Sequence, residues 1–545
     1  MQILCLLIAA LLISFAWLSP FHTYPWVTFS SELATFGAGL AVFLAFIHQG
    51  LKIVKAQLLM FPIVLIPLFQ WFFGLVDDFS IALLSFSYLF VFWLMIVCGY
   101  NLSLQNEKRE QLMQGISILL LSIGLLSSLI AIVQWLNLES SFNVVMQLRG
   151  NRPYANFGQP NNLATFLVMG LMGALYLYEK RKVALWLLIP SSLIILFAIS
   201  LSQSRTPWIV CIFIFGYWVY KQRRNQPRFS FYKLLLWSGS YFLIAAYFLP
   251  FITKLIASST DVVHTASIAQ RAGSGHERLG MWAQILHAIL ERPWFGYGWN
   301  QTSIAVVESI HFNTVHVWFN SAHNVLLDVL VWNGIPLGIL IIGYILIWLF
   351  WLHKNAKDTI SVVAILMVTA ILIHAMLEFP QRYAYFLFPM GFLLGLIQAQ
   401  TPNLKGINIS RSVIRCVWLA AVVVLLIVWR DYRLFQCNSP LVFKGQQPTE
   451  KILGSSRIML LTQFQQRLDW VALKPQTSMS DSDLIRIGEM VKNKATPYNL
   501  KKYAQLLAYN HKFVEAEQQL FVLQQLHKQK ISLAEIFELN NRTKH

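Results

Sequence analysis

Residues 113–135 read MQGISILLLSIGLLSSLIAIVQW, a run of apolar and small polar residues without a charge. Coiled as a helix, it is long enough to cross the roughly 30 Å hydrocarbon core of a bilayer. A helix also satisfies its own backbone donors and acceptors, the condition for lying in lipid. Lys108 and Arg109 stand before this run, and a loop rich in amides and aromatics, 136–160, follows it. Moving outward in both directions, the same alternation recurs: apolar run, short basic turn, apolar run, aromatic loop. Spans are expected at about 3–19, 33–49, 58–76, 80–100, 113–135, 161–178, 183–201, 207–220, 234–254, 323–351, 359–377, 386–400 and 416–430. The first run lacks a basic start and a small-x-small cleavage site, so it is read as a retained span rather than a signal peptide.

The composition agrees. The chain has 545 residues, of which 57% are hydrophobic and 12% charged, with a mean hydropathy of +0.56. Soluble domains carry about 25% charged residues. The net charge of +18 suggests nucleic acid at first sight, but its distribution does not. Seventeen Lys and Arg, among them Lys52, Lys55, Lys180, Arg181, Lys182 and Lys233, fall on one set of loops. Nine fall on the other set: Arg149, Arg152, Arg205, Lys254, Arg271, Arg278, Arg292, Arg382 and Arg430. The positive-inside rule makes the first side cytoplasmic. The N-terminus is then cytoplasmic and the C-terminus periplasmic. Five scattered cysteines without a CxxC spacing argue against a disulfide framework and a structural zinc site.

The periplasmic side holds the long loops and a nearly all-arginine set of cations. Arginine pairs with phosphate through a planar fork that meets two oxygens at once. Residues 277–290, ERLGMWAQILHAIL, place Leu279, Trp282, Ile285, Leu286 and Ile289 at helical spacing. This predicts an amphipathic helix on the membrane surface. Glu-Arg-Pro at 291–293 should end it, followed by a Gly-broken aromatic turn at 294–299. Beyond Arg430 the long apolar runs stop, and residues 431–545 have a net charge of +6. There, 498–525 read as two antiparallel helices turning at 509–512, similar to one tetratricopeptide unit. The expected organisation is a transmembrane domain over 1–430, with a periplasmic loop at about 255–322, and a small periplasmic helical domain over 431–545.

P-loop, GxSxG and HExxH patterns are absent from the sequence. Asp77-Asp78 could hold a divalent cation, but a solvated loop is the simpler reading. Four features carry chemistry. The amide-rich stretch 151–165 could bind sugar hydroxyls or phosphate, although Asn162 could equally cap a helix. Arg205 lies in the tight turn Ser202–Pro207, costly there unless paired or hydrated. Arg271 and Arg278 would share a face if their stretch is helical. His323 begins the tenth span beside these arginines. Fixed arginines stabilise a departing diphosphate, and a histidine can take or orient the proton of an attacking hydroxyl.

These motifs carry a resemblance. Arg278-x-x-x-Trp282, Arg292-Pro-Trp-Phe-Gly-Tyr-Gly298, Ala322-His-Asn-Val-Leu-Leu327 and Asn333-Gly-Ile-Pro-Leu-Gly338 resemble the core of the O-antigen ligase and polymerase superfamily. Residues 152–164, RPYANFGQPNNLA, and 378–385, EFPQRYAY, resemble the PglL-type protein O-oligosaccharyltransferases within it. The resemblance implies an all-α, GT-C-like membrane glycosyltransferase of about thirteen helices. It would need neither nucleotide sugar, metal nor other cofactor. It would move a preassembled glycan from undecaprenyl diphosphate to Ser or Thr of periplasmic or pilin-like proteins in the inner membrane. By the same resemblance His323 is catalytic, and Arg205 and Arg278, with Arg271 less securely matched, engage the diphosphate. Gln159, Asn161, Asn324, Arg382 and Tyr383 bind donor or acceptor. An O-antigen ligase acting on lipid A core and an O-antigen polymerase share most of these parts. A lipid-linked glycan flippase is the alternative from another class. It would need charges lining a cavity at membrane depth, whereas the charges here gather at the surface.

Overall fold

A computed structural model describes residues 1–225, 227–256, 276–401, 403–445 and 457–542. It is nearly all helical. The helices are α1 Gln2–Leu18, α2 Phe29–Leu44, α3 Lys55–Phe72, α4 Phe79–Leu102, α5 Asn106–Trp135, α6 Pro160–Glu179, α7 Leu185–Ser202, α8 Thr206–Asn225 and α9 Phe231–Ile256. Then come α10 His276–Glu291, α11 Thr302–Glu308, α12 Val325–Asn355, α13 Thr359–Ala375, α14 Ala384–Gln398 and α15 Arg411–Phe443. The tail adds α16 Thr462–Ala472, α17 Asp481–Asn493, α18 Pro497–Tyr509, α19 Phe513–His527 and α20 Leu533–Arg542. Each apolar run expected from sequence carries a helix. Eight described helices are long and apolar enough to cross a membrane, and α1, α2, α13 and α14 are shorter apolar helices. The chain is a multi-pass membrane protein.

One departure from the all-α expectation is a two-stranded antiparallel sheet, β1 Leu51–Val54 with β2 Gly406–Ile409, in which Leu51 pairs with Ile409. Its strands are too short and too distant in sequence to give a hairpin signal.

The chain divides into two compact units. The first comprises Met1–Phe61, Phe90–Gly273 and Ile347–Val422. In it α5, α6 and α7 pack on one another, and α13 lies against α6, α8 and α14. Gly391 and Gly395 of α14 meet the backbone of α4 so closely that a Cβ at either would clash with main-chain carbonyls of Phe92 and Ile96. Small residues allow such approach where lipid supplies no hydrophobic drive between helices.

The second unit comprises Pro62–Leu89, Ser274–Leu346 and Val423–His545. Met281, Ile285, Ala288 and Ile289 of α10 share one apolar core with α11, Val331 of α12 and the tail helices. The helix is therefore present, and its exposed side carries apolar residues as well. Leu279 and Leu286 are exposed, together with Leu290, Trp294 and Phe295. The helix is apolar around most of its circumference, so spacing alone could not choose the buried side.

The turn after α10 interlocks with a break in α12. Tyr297 N donates to Val331 O at 2.8 Å, Gly298 N to Trp332 O at 3.1 Å, and Ile335 N to Pro293 O at 2.6 Å. Gly334 has φ +74°, and a Cβ there would strike the Trp294 backbone, as one on Gly296 would strike Val331 and Asn333. Left-handed backbone and close approach both call for glycine. The tenth span is thus a broken helix beginning at Val325 rather than a continuous one from 323.

In the tail, α18 and α19 form the expected hairpin. The tail bonds to the loop region of its own unit: Ser303 Oγ donates to Lys492 O at 2.7 Å, and the His316 ring Nδ1 lies 2.9 Å from Gln525 O. Residue 430 falls within α15, whose next residue, Asp431, is fully buried. The Asp431 carboxyl accepts from Met459 N, Leu460 N and Leu461 N at 2.9, 2.6 and 3.2 Å and from Arg430 at 2.9 Å. Asp78 is likewise no solvated loop residue. It is buried and accepts from Ser80 N at 2.7 Å, from the Ser80 hydroxyl, and from Thr462 Oγ1 at 2.9 Å. Its companion Asp77 is exposed.

Asp431→Ala should leave buried N–H donors unpaired and cost about 3 kcal/mol or more. Thermal unfolding of the full chain in detergent should show a clear fall in Tm, and Asp431→Asn a smaller one.

Candidate functional site

The residues singled out from sequence fall into two sets, one in each unit. In the second unit, His323 occupies the last left-handed position before α12, with φ +52°. Histidine tolerates this region better than most residues. Asn324 is next, and its Oδ1 accepts from Leu326 N at 3.0 Å and Leu327 N at 3.3 Å, capping the helix. The Asn324 Oδ1 is therefore engaged at the start of α12.

The strained turn is held by a residue that the sequence reading gave no role. Asp328, one turn into α12, is fully buried. Its Oδ1 accepts from Ala322 N at 2.8 Å and Thr302 Oγ1 at 3.1 Å, and its Oδ2 accepts from Ser321 Oγ at 2.7 Å. Ser321 Oγ in turn accepts from His323 N at 3.2 Å, and Trp332 Nε1 donates to Thr302 Oγ1 at 2.8 Å. A carboxyl that satisfies a backbone N–H and two hydroxyls fixes the loop just before His323. His323 itself is half-buried. The signal available in sequence was the acid at the fifth position after His323, within an otherwise apolar helix.

Arg278 stands on the first turn of α10, half-buried. One turn on, Trp282 Nε1 donates to Ala322 O at 2.9 Å. Residues four apart share a helix face, so Arg278 lies on the side of α10 that holds the residue before His323. Arg292 has a structural task. It pairs with Glu308 at 2.5 Å and lies over the Tyr297 ring at 4.8 Å. Arg271 lies outside the described residues.

In the first unit three segments converge. Arg152 Nε donates to Ser202 O at 3.0 Å and its Nη2 to Asn161 Oδ1 at 3.1 Å. Asn161 Nδ2 donates to Glu378 Oε1 at 3.1 Å. The amide motif, the end of α7 and the 378–385 motif are thus joined through one arginine and one amide. Past Ser202, Gln203 adopts a left-handed conformation with φ +49°, and the chain turns to present Arg205, which is exposed. Gln159 sits at the N-cap position of α6 without spending its side chain on the cap. Asn162 is not a cap. It is buried inside α6, with its Nδ2 3.4 Å from Tyr385 Oη.

Arg382, half-buried, lies 6.0 Å from the Phe379 ring, and the Tyr383 ring stacks on Tyr385 at 5.1 Å. Burial, reinforced by nearby Glu32, pushes the Tyr383 phenol up to about 12 against the opposing effect of Arg382 and Asn162. Tyr383 is therefore a neutral hydrogen-bond donor at physiological pH.

Between α6, α7, α8 and α9 lies an apolar cavity of about 330 Å³. Its lining follows α7 from Leu185 to Ile199 and includes Pro207, two residues after Arg205, and Lys233. A greasy shaft near an exposed arginine, with an amide-rich polar network alongside, suits an amphiphile with a polar head and a long apolar tail.

These features belong to a multi-pass membrane protein and suit a lipid-linked, hydroxyl-rich substrate. Three family models match the chain: O-antigen ligase over residues 190–342, protein glycosylation ligase over 153–178, and the C-terminal region of virulence factor membrane-bound polymerases over 362–538. Over 542 residues the chain is 51% identical to a general O-oligosaccharyltransferase of Acinetobacter baylyi, covering 99% of this chain and 95% of that one. It is also 30% identical over 371 residues to a ComP-specific O-oligosaccharyltransferase of the same organism, covering 66% of this chain and 65% of that one. The chain belongs to the PglL-type O-oligosaccharyltransferases of the O-antigen ligase superfamily and is a glycosyltransferase.

Because Asp328 acts through the His323 turn, Asp328→Ala should lower transfer about 100-fold, the scale of a small misplacement of a reacting group. Asp328→Asn retains one acceptor oxygen and should lose distinctly less. Transfer assays normalised to membrane-inserted protein test this ordering. Equal activity of Asp328→Ala and wild type would remove the positioning role.

Proposed function

We propose that this O-oligosaccharyltransferase moves a preassembled oligosaccharide en bloc from undecaprenyl diphosphate to Ser or Thr of periplasmic or pilin-like proteins. The placement of His323 carries the reading: a half-buried imidazole on a turn braced by a fully buried carboxyl, beside the helix face that bears Arg278. His323 takes or orients the proton of the acceptor hydroxyl as its oxygen bonds to the anomeric carbon. The bond from that carbon to the diphosphate breaks, and charge passes to the leaving undecaprenyl diphosphate. Arg205 and Arg278, with Arg271, engage that charge, so the chemistry calls for no metal. Gln159, Asn161, Arg382 and Tyr383 bind donor or acceptor through hydrogen bonds. The cavity beside α7 receives part of the polyprenyl tail, supported by its almost wholly apolar lining and by Pro207, two residues after Arg205, within that lining.

The enzyme sits in the bacterial inner membrane with about thirteen spans, its N-terminus cytoplasmic and its C-terminus and chemistry periplasmic. The asymmetry of Lys and Arg between alternate loops supports this orientation. A broad acceptor range is supported by the match to a relative named as general over 95% of that protein's length.

Co-expression with a lipid-linked glycan pathway and a pilin-like acceptor should add the intact glycan mass to the acceptor. His323→Ala should reduce that product at least about 100-fold while the protein stays in the membrane. Full glycosylation by this variant would refute the proton-handling role. Arg205→Ala and Arg278→Ala should each weaken donor use about tenfold or more. Unchanged binding of the lipid-linked donor in both would remove their diphosphate role.

A further inference from the structure

The turn Pro380–Arg382 is pinned on both sides. Glu378 N donates to His374 O at 2.8 Å and the Glu378 carboxylate holds Asn161. On the far side Ala384 N donates to Glu32 Oε2 at 2.8 Å. Arg382 N and Tyr383 N close the turn onto Phe379 O and Pro380 O at 3.0 and 3.1 Å. Within this frame the Gln381 side chain has both amide atoms, Oε1 and Nε2, enclosed and without a hydrogen-bond partner among the described residues. Two amides tied to the same segment are engaged elsewhere: Asn161 lies between Arg152 and Glu378, and Asn162 Nδ2 is directed to Tyr385. An enclosed amide without partners is destabilising, and native proteins hold few of them. Yet the turn is not sealed, since Glu378, Phe379, Gln381, Arg382 and Tyr383 are all half-buried. An amide carried on a turn whose backbone is pinned, with an acceptor and two donors unused among the described residues, is placed for a ligand that offers both kinds of partner.

We propose that Gln381 binds the donor glycan, its Oε1 accepting from one sugar hydroxyl and its Nε2 donating to the adjacent one. Vicinal hydroxyls of a pyranose ring present such a pair side by side. A single Ser or Thr hydroxyl meets only one of the two amide atoms, and a diphosphate oxygen, which only accepts, leaves Oε1 unpaired. The assignment rests on the lipid-diphosphate-linked donor of the preceding subsection and adds a residue that reads its sugar.

Gln381→Met keeps the length of the side chain and removes both polar atoms. The purified full-length protein in detergent is titrated with polyprenyl diphosphate bearing one N-acetylhexosamine and with polyprenyl diphosphate bearing no sugar. The variant should unfold at the same or a higher temperature than wild type, because unpaired enclosed groups are gone. Its Kd for the sugar-bearing lipid should rise about tenfold or more, while its Kd for the sugarless lipid stays unchanged. An unchanged Kd for the sugar-bearing lipid would overturn the assignment. So would a lower Tm with equal loss of both lipids, which marks a purely structural glutamine. If wild type binds neither lipid, the lipid-diphosphate donor itself fails and the assignment falls with it.

Discussion

A single buried carboxyl governs the geometry around His323. Asp328 gathers the Ala322 amide and the Ser321 and Thr302 hydroxyls, and Thr302 is in turn held by Trp332. Inside an apolar surrounding such a group is stable only when its lone pairs are used, and once they are used the loop has little freedom left. The left-handed backbone at His323 is paid for by that network and by the Asn324 cap. Around it, α10 reaches the same loop through Trp282, and the 294–298 turn locks onto the break at Gly334. The motifs 278–282, 292–298, 322–327 and 333–338, which are dispersed along the chain, meet in one packed arrangement.

The first unit uses the same physics with different residues. Arg152 binds the carbonyl that ends α7 and the Asn161 amide, and Asn161 binds Glu378. Polar groups near lipid must be matched among themselves or be kept for a ligand. Most of this network is matched, which makes Gln381 conspicuous. The cavity beside α7 supplies the opposite environment, apolar almost throughout, within a few residues of Arg205. Transfer from an amphiphilic donor calls for both environments, one for the tail and one for the sugar and its leaving group.

Much of this was legible in the chain. Apolar runs such as 113–135 can satisfy lipid only as helices, and each became one. The hairpin of α18 and α19 followed from its spacing. The candidate site was legible as residue types: His323, Arg205, Arg278 and the amides could be named because polar groups at the ends of apolar runs are costly without a purpose. Two readings failed for a common reason. Asn162 could cap a helix or face inward, and Asp78 could face water or be buried among hydrogen-bond donors. Each choice depends on what packs opposite, and spacing does not say.

The sequence by itself determined that this is a many-helix membrane protein with an arginine-rich, histidine-bearing side, because hydropathy and charge act locally, residue by residue, on where each segment can lie. Only the tertiary structure decided that Asp328 braces the His323 turn, that the Asn324 Oδ1 caps α12, that α12 breaks at Gly334, that Arg152 and Asn161 tie three distant segments together, and that Gln381 is left unpaired among the described residues. Hydrogen-bond satisfaction is a property of neighbours in space, and those neighbours here lie up to hundreds of residues apart in the chain.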